Sequence, residues 1–124
     1  ILAELAQRVI TVERICSLAN TAVQRLKEAG STNVEVVLSE RKLGWEKEAP
    51  YDAIIVAAGA SEMPRDLMGQ LAVRGRMVVP VGSLESQKLI KVTKSAYSYS
   101  ETTLCTCKFV PLIGEGSWPD PDKE

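Results

Sequence analysis

Residues 9–14 read Val-Ile-Thr-Val-Glu-Arg, VITVER. Four β-branched, mostly apolar residues have the composition of a buried strand. That strand runs into an acid, Glu13, and a helical pattern starts at once. Ile15, Leu18, Ala19, Ala22, Val23 and Leu26 recur with a 3.6-residue period over about four turns, and Gly30 stands where a helix C-terminal glycine belongs. In doubly wound α/β sheets, ligands bind across the carboxyl ends of the strands. A carboxylate has two acceptor oxygens and no donor, so it suits the vicinal hydroxyls of a ribose. An acid at that place is equally at home beside the positive end of the helix that follows. VITVER alone leaves both readings of Glu13 open.

Outward from this stretch, residues 1–6 look like the tail of a helix, and Val34–Leu38 reads as the next strand. A polar loop, SERKLGWEKEAPY, follows. Asp52 introduces Ala53–Ala58, apolar on both faces, as strands inside helix-covered parallel sheets are. Asp52 itself reads as a strand-start residue rather than a catalytic one. Pro64 opens a helix carrying Leu67, Met68 and Leu71 inward, Gly75 ends it, and Met77–Val81 is another apolar strand. The order α, β, α, β, β, α, β is the rhythm of a doubly wound sheet. Beyond Gly82, Lys88–Lys94 and Thr103–Val110 alternate in character, and SAYSYSE between them predicts an antiparallel pair at the sheet edge. Residues 1–114 therefore read as one partial domain, and residues 115–124 as a loose, polar, Pro-rich tail.

Composition narrows the function. The chain has 124 residues, enough for one small core, with 45% hydrophobic and 25% charged residues. A net charge of −1 gives no electrostatic case for a nucleic acid or an acidic membrane as partner. No apolar run approaches the length of a membrane-spanning helix. ILAELA at the start does not read as a signal peptide, because a basic leader is absent and Glu4 interrupts it. With no histidine, a Ser-His-Asp triad, a Cys-His pair and a His-ligated zinc are excluded. Three cysteines, an odd count, fit a reducing cytoplasm. Cys105 and Cys107 share one strand face, too far apart for an easy disulfide, and read as two buried thiols rather than a metal or redox pair.

Nucleotide-binding sheets of this kind carry a glycine-rich turn about 20 residues before the ribose acid. Counting back from Glu13 runs off the front of the sequence. Either the fold is not a nucleotide fold, or its first strand and glycine loop are missing.

VITVER, EAPYDAIIVAAGASEMP, QLAVRGRMVVPVGSLESQKLIKV and FVPLIG, in this order and spacing over residues 1–114, resemble the C-terminal part of the protein-L-isoaspartate O-methyltransferases. VVPVG and FVPL are more specific than a generic methyltransferase sheet. The resemblance implies a Rossmann-like sheet dependent on S-adenosylmethionine, incomplete for want of its first strand, with an antiparallel C-terminal strand pair. It implies methyl transfer to the free carboxylate of isoaspartyl residues in damaged proteins, with no metal. The ester then cyclises to a succinimide, whose hydrolysis returns some normal aspartate. The enzyme's part is mainly to hold carboxylate, methyl carbon and sulfur in line and exclude water.

Carried over residue by residue, Glu13 matches the ribose-binding acid and Arg14 the basic residue beside it. Ser39-Glu40-Arg41 stands where the family has Gly-Asp-Gly. Glu40 keeps the carboxylate expected at the adenine amino group, and Arg41 replaces a glycine that permits close approach. Ala57, with Ala58 and Gly59, is small where the cofactor passes. Val110, Pro111 and Leu112 match a segment bordering the peptide groove. Each also has a structural reading: loop charge for Glu40 and Arg41, helix start for Arg14, close packing for Ala57, an apolar strand ending for Val110–Leu112. Trp45 reads as a cap on the core or a loop. No catalytic residue is expected within these residues, since the family's substrate-side serine or threonine and its glycine loop match nothing here.

In this topology the first strand lies in the middle of the sheet. Buried unpaired backbone groups cost about 1–3 kcal/mol each, against a net stability of about 5–15 kcal/mol. The gap is therefore expected to be closed: by the flanking strands pairing directly, by a strand of another copy, or by residues outside these 124. Two further functions compete with the isoaspartyl reading. One is a methyltransferase-like fragment with a binding or assembly role. The other is a different S-adenosylmethionine-dependent enzyme on the same scaffold.

Overall fold

The VITVE stretch forms a strand and hands over to a helix as its pattern predicts. The structure is a computed structural model and describes residues 1–122. It divides into two compact units, one spanning Ile1–Trp45 and the other running from Glu46 onward.

The first unit contains α1 (Leu2–Leu5), β1 (Val9–Glu13), α2 (Cys16–Glu28) and β2 (Val34–Leu38). β1 and β2 pair in parallel from Val9 opposite Val34 to Glu13 opposite Leu38, so both strands end together. The α2 C-terminus closes as a Schellman motif on Gly30, whose φ of 74° favours glycine. Gly30 N–H donates to the Lys27 carbonyl and Ser31 N–H to the Leu26 carbonyl, each at 3.0 Å. At the opposite end, Asn33 Nδ2 donates to the carbonyls of Ala3 and Ala6 at 2.8 and 3.0 Å, pinning α1 to the head of β2.

Ala19, Val37 and Leu43 are the buried residues of this unit, and Ala22 and Leu26 are half-buried. Leu18, on the same predicted stripe, remains 51% exposed. Two strands about 4.8 Å apart support little more than one line of a helix 10–12 Å across. The flank of the apolar stripe therefore projects beyond them.

The second unit contains a 3-10 turn (Glu46–Glu48), β3 (Tyr51–Ile55), α3 (Arg65–Gly69), β4 (Leu71–Gly82), β5 (Gln87–Lys94) and β6 (Tyr99–Cys107). They form one sheet in the order β3-β4-β5-β6. β3 and β4 are parallel, and the β4–β5 and β5–β6 pairs are antiparallel; the β5–β6 pair is the one the alternation after Gly82 predicts, with β6 running Tyr99–Cys107 rather than Thr103–Val110, so that part of SAYSYSE is strand. Met77, Val79 and Val92 are wholly buried, with Leu67 and Leu71 beside them in the core.

Several expectations change. β3 stops at Ile55 and is an end strand of its sheet, so Ile55 is 62% exposed rather than covered on both faces. The helix after Pro64 lasts only five residues, and Leu71 is buried as the first residue of β4. β4 absorbs Val73–Gly75 as an irregularity: Tyr51 pairs with Leu71 but Ala53 with Arg76, and Arg74 takes a φ of 71°. Cys105 is exposed and Cys107 half-buried, because β6 is the other end strand. Finally, β1 and β3 stand in different sheets among the described residues, so direct pairing of these flanking strands is not formed. Each takes the partner its own short crossover delivers, which needs less chain closure than a ladder between them.

The segment from Gly114 does not hang loose. Trp118 N–H donates to the Leu112 carbonyl at 3.1 Å, Gly114 N–H to the Trp118 carbonyl at 3.0 Å, and the Trp118 indole to the Gly59 carbonyl at 3.1 Å. An indole donor must find an acceptor when it leaves water, and Gly59 supplies one. The last residues of the expected tail, 123 and 124, lie outside the described residues.

Candidate functional site

In the first unit, Glu13 and Glu40 stand just beyond neighbouring strands. Glu13 is the last residue of β1, opposite Leu38, and the Ser39 N–H donates to the Glu13 carbonyl at 2.9 Å. The parallel ladder thus brings the loop after β2 alongside Glu13. Ser39 Oγ donates to the Lys42 carbonyl at 2.7 Å, closing the turn that holds Glu40 and Arg41 outward. Both are exposed, and their side chains form no hydrogen bond or ion pair among the described residues. Leu43, just beyond, is buried and anchors the loop.

The Glu13 carboxylate folds over its own backbone. Its Oε1 accepts from the Arg14 N–H at 2.8 Å and the Ile15 N–H at 3.0 Å. Ile15 is the N-cap of α2 and offers no side-chain cap, and Glu13 satisfies backbone donors at the helix entrance. Oε2 accepts no hydrogen bond among the described residues, and Glu13 enters no ion pair there. The carboxylate thus binds the two backbone donors just ahead of α2, at Arg14 and Ile15, rather than capping the helix's own first N–H groups, and still offers one oxygen. Arg14, half-buried, follows it in sequence. An open recess lined by Arg8, Asn33 and Glu35 occurs at the other end of these strands, where Arg8 and Glu35 pair at 2.6 Å. It is not at the end where the acids gather.

In the second unit, the segment after β3 and the segment after β6 meet at Gly59. Gly59 N–H donates to the Val110 carbonyl at 2.7 Å, and Leu112 N–H returns to the Gly59 carbonyl at 2.9 Å. This is a parallel bridge of Gly59 with Pro111. Ala57, two residues upstream, is exposed, as are Val110 and Pro111, while Leu112 is half-buried. The structure thus brings Ala57 and Val110–Leu112 into one neighbourhood of this unit. Glycine is needed at the junction. A Cβ on Gly59 would lie 2.9 Å from Gln87 Cδ and 3.1 Å from its Cγ.

Gln87 and Trp118 are the residues sequence reasoning passed over. Gln87 looked like an ordinary polar residue at a strand head, yet it is only 3% exposed. The G-x-G-S-W run at 114–118 carried the signal of a turn followed by an aromatic anchor, and its prolines masked it. Elsewhere on β6, partial burial raises the Cys107 thiol above the usual cysteine range, with Cys105 beside it adding in the same direction.

A βαβ unit with acids at the carboxyl ends of its strands, and a mixed sheet ending in an antiparallel pair, together define an incomplete Rossmann-like sheet of the S-adenosylmethionine-dependent methyltransferase class. Solved structures agree. A protein-L-isoaspartate O-methyltransferase from Plasmodium falciparum, in complex with S-adenosyl-L-homocysteine, superposes with a TM-score of 0.68 at 26% identity, covering 83% of this chain and 51% of that one. A second protein-L-isoaspartate O-methyltransferase gives 0.78 at 25% identity, covering 89% of this chain and 35% of that one. The family model described as protein-L-isoaspartate(D-aspartate) O-methyltransferase matches residues 1–117, and the chain belongs to that family. Protein-L-isoaspartate O-methyltransferases of Geobacter metallireducens and Brucella anthropi are 48% and 45% identical over 95% and 97% of the chain. The chain spans little more than half the length of these relatives, 55% and 56%.

Proposed function

We propose that the protein carrying this chain methylates the free carboxylate of isoaspartyl residues in damaged proteins, in the cytoplasm, with S-adenosylmethionine as donor. The observation that carries this reading is the Glu13 carboxylate: fixed through Oε1, open at Oε2, at the carboxyl end of a parallel strand. That open acceptor suits a ribose hydroxyl, which donates to it. S-adenosylmethionine brings an already activated methyl group, so the residues need to bind, orient and exclude water rather than generate a nucleophile. Glu13 accepts from the ribose. Glu40, on the adjoining loop, accepts from the adenine amino group, and Arg14 and Arg41 flank the nucleoside. Ala57 leaves room for the cofactor, and Val110, Pro111 and Leu112 border the peptide. Isoaspartyl proteins or peptides are the partners.

The test is methyl transfer by the complete gene product. Labelled S-adenosylmethionine and a peptide with one isoaspartyl residue should give base-labile label on the peptide, and the aspartyl counterpart none. Equal labelling of both, or of neither, removes the reading. A second reading is a methyltransferase-like piece acting in binding or assembly. It predicts that the 124 residues alone bind S-adenosylhomocysteine weakly or not at all. Micromolar affinity in a calorimetric titration would contradict it.

A further inference from the structure

Where β6 ends, the chain changes partners. Gln87 pairs with Cys107 as the last step of the antiparallel β5–β6 ladder. Three residues later the chain is bound instead to the segment after β3, through Val110 and Leu112 on Gly59. Phe109, between the two regimes, has no strand opposite it. Its N–H donates to Gln87 Oε1 at 2.6 Å. The other end of the same amide donates from Nε2 to the Ser83 carbonyl at 2.6 Å, in the turn between β4 and β5. Only this orientation gives each amide atom a partner of the right kind. The aliphatic part of Gln87 meanwhile fills the space over Gly59. One buried side chain therefore touches the outgoing strand, the turn and the glycine on which Val110–Leu112 docks.

We infer that Gln87 is a positioning residue for the peptide substrate. Its amide carries the β5 ladder one step past β6 and so sets where Val110, Pro111 and Leu112 lie against Gly59. The inference rests on the proposed role of Val110–Leu112 beside the peptide. Gln87 itself touches no reacting group. Without its carbonyl, the Phe109 N–H would lose its partner, and the segment would sample other registers before a peptide could bind. The register sets peptide affinity, whereas Glu13, the residue offered to the cofactor, lies on a different sheet.

The experiment uses the complete gene product and two substitutions. Gln87→Met keeps length and removes both amide bonds. Gln87→Glu keeps an acceptor for the Phe109 N–H. Gln87→Met is expected to raise KM for an isoaspartyl peptide roughly tenfold, the consequence of one unsatisfied buried donor. It should leave kcat and S-adenosylhomocysteine affinity within about twofold, and Gln87→Glu should recover KM to within about threefold of the unsubstituted protein, each step being one bond gained or lost. An unchanged KM in Gln87→Met overturns the inference. So does a parallel loss of peptide affinity, kcat, cofactor affinity and folded yield, or a Gln87→Glu variant no better than Gln87→Met, because each assigns Gln87 a purely structural part. Absence of methylation by the unsubstituted protein is a separate result: it overturns the functional reading itself, and this inference with it.

Discussion

Substituting Gly59 by alanine tests the packing argument at the junction of the second unit. The added Cβ would meet Gln87 at 2.9 Å from Cδ, 3.1 Å from Cγ and 3.2 Å from Nε2. Gln87 cannot swing away freely, because its amide is held at 2.6 Å at each end. Overpacking of this kind costs about 1–3 kcal/mol. Gly59 is not among the glycines with positive φ, so no backbone strain is added, and alanine returns about 0.4–1 kcal/mol by restricting the unfolded chain. The net expectation is a loss of about 1–2 kcal/mol, read from urea unfolding of the 124-residue chain by circular dichroism. The decisive form is a double-mutant cycle with Gln87→Ala, which removes the obstructing atoms. In that background Gly59→Ala should cost less than about 0.5 kcal/mol, leaving a coupling near 1 kcal/mol or more. Additive effects would show that Gly59 and Gln87 do not constrain one another, and the account of the junction would fail.

Further outcomes follow from other parts of the molecule. Glu13→Ala in the complete gene product should weaken S-adenosylhomocysteine binding by about 1–3 kcal/mol, the range for charge-assisted hydrogen bonds; unchanged affinity by calorimetry would remove Glu13 from the site. Arg74→Gly should stabilise the chain by about 1 kcal/mol in urea unfolding, since a non-glycine residue at φ 71° carries a penalty glycine does not. Trp118→Phe keeps the ring but not the donor to Gly59, so it should cost about 0.5–1.5 kcal/mol, and no loss would mean the segment beyond Gly114 is held by something else. The raised Cys107 thiol, with less thiolate at a given pH, should alkylate more slowly near pH 8 (roughly the ordinary cysteine range) than exposed Cys16, with its rate profile displaced to higher pH. Mass mapping of iodoacetamide adducts reads this, and equal profiles would contradict it.

The parts of the fold legible in the sequence are those whose pattern is local. VITVE, the helix from Cys16 and the Gly30 stop each follow from periodicity and one or two punctuating residues and stand where the pattern puts them; the antiparallel pair also forms, with β6 displaced to Tyr99–Cys107. The stretch from Pro64 to Val81 was harder. Leu67, Met68 and Leu71 satisfy a helical period, but Leu71 also begins an alternation that continues through β4. The competition was decided by pairing with β3, which a single-chain pattern does not contain. The same limit applied to the site. Glu13 could be named because a strand end is a local feature, and Glu40 through the family resemblance. Gln87 could not, because its role consists of three partners far apart in sequence, at Gly59, Ser83 and Phe109.

The two readings of Glu13 that VITVER left open are compatible, since the helix-start contacts use Oε1 alone and leave Oε2 for the proposed ribose contact. A glutamate side chain free to rotate loses about 1–2 kcal/mol of conformational entropy when a ligand fixes it. Here that cost is met on folding, because the Arg14 and Ile15 N–H groups already hold Oε1. Those same donors hold the carboxylate at the head of α2, where the helix field favours negative charge. In the proposed role, serving the helix is what prepares Glu13 for a ribose. An aspartate at this position tests that coupling: one methylene shorter, it reaches the backbone donors or a ligand but not both. Glu13→Asp should therefore reduce S-adenosylhomocysteine affinity nearly as much as Glu13→Ala. If Glu13→Asp binds as well as the unsubstituted protein, the fixed geometry of Oε1 contributes nothing to recognition.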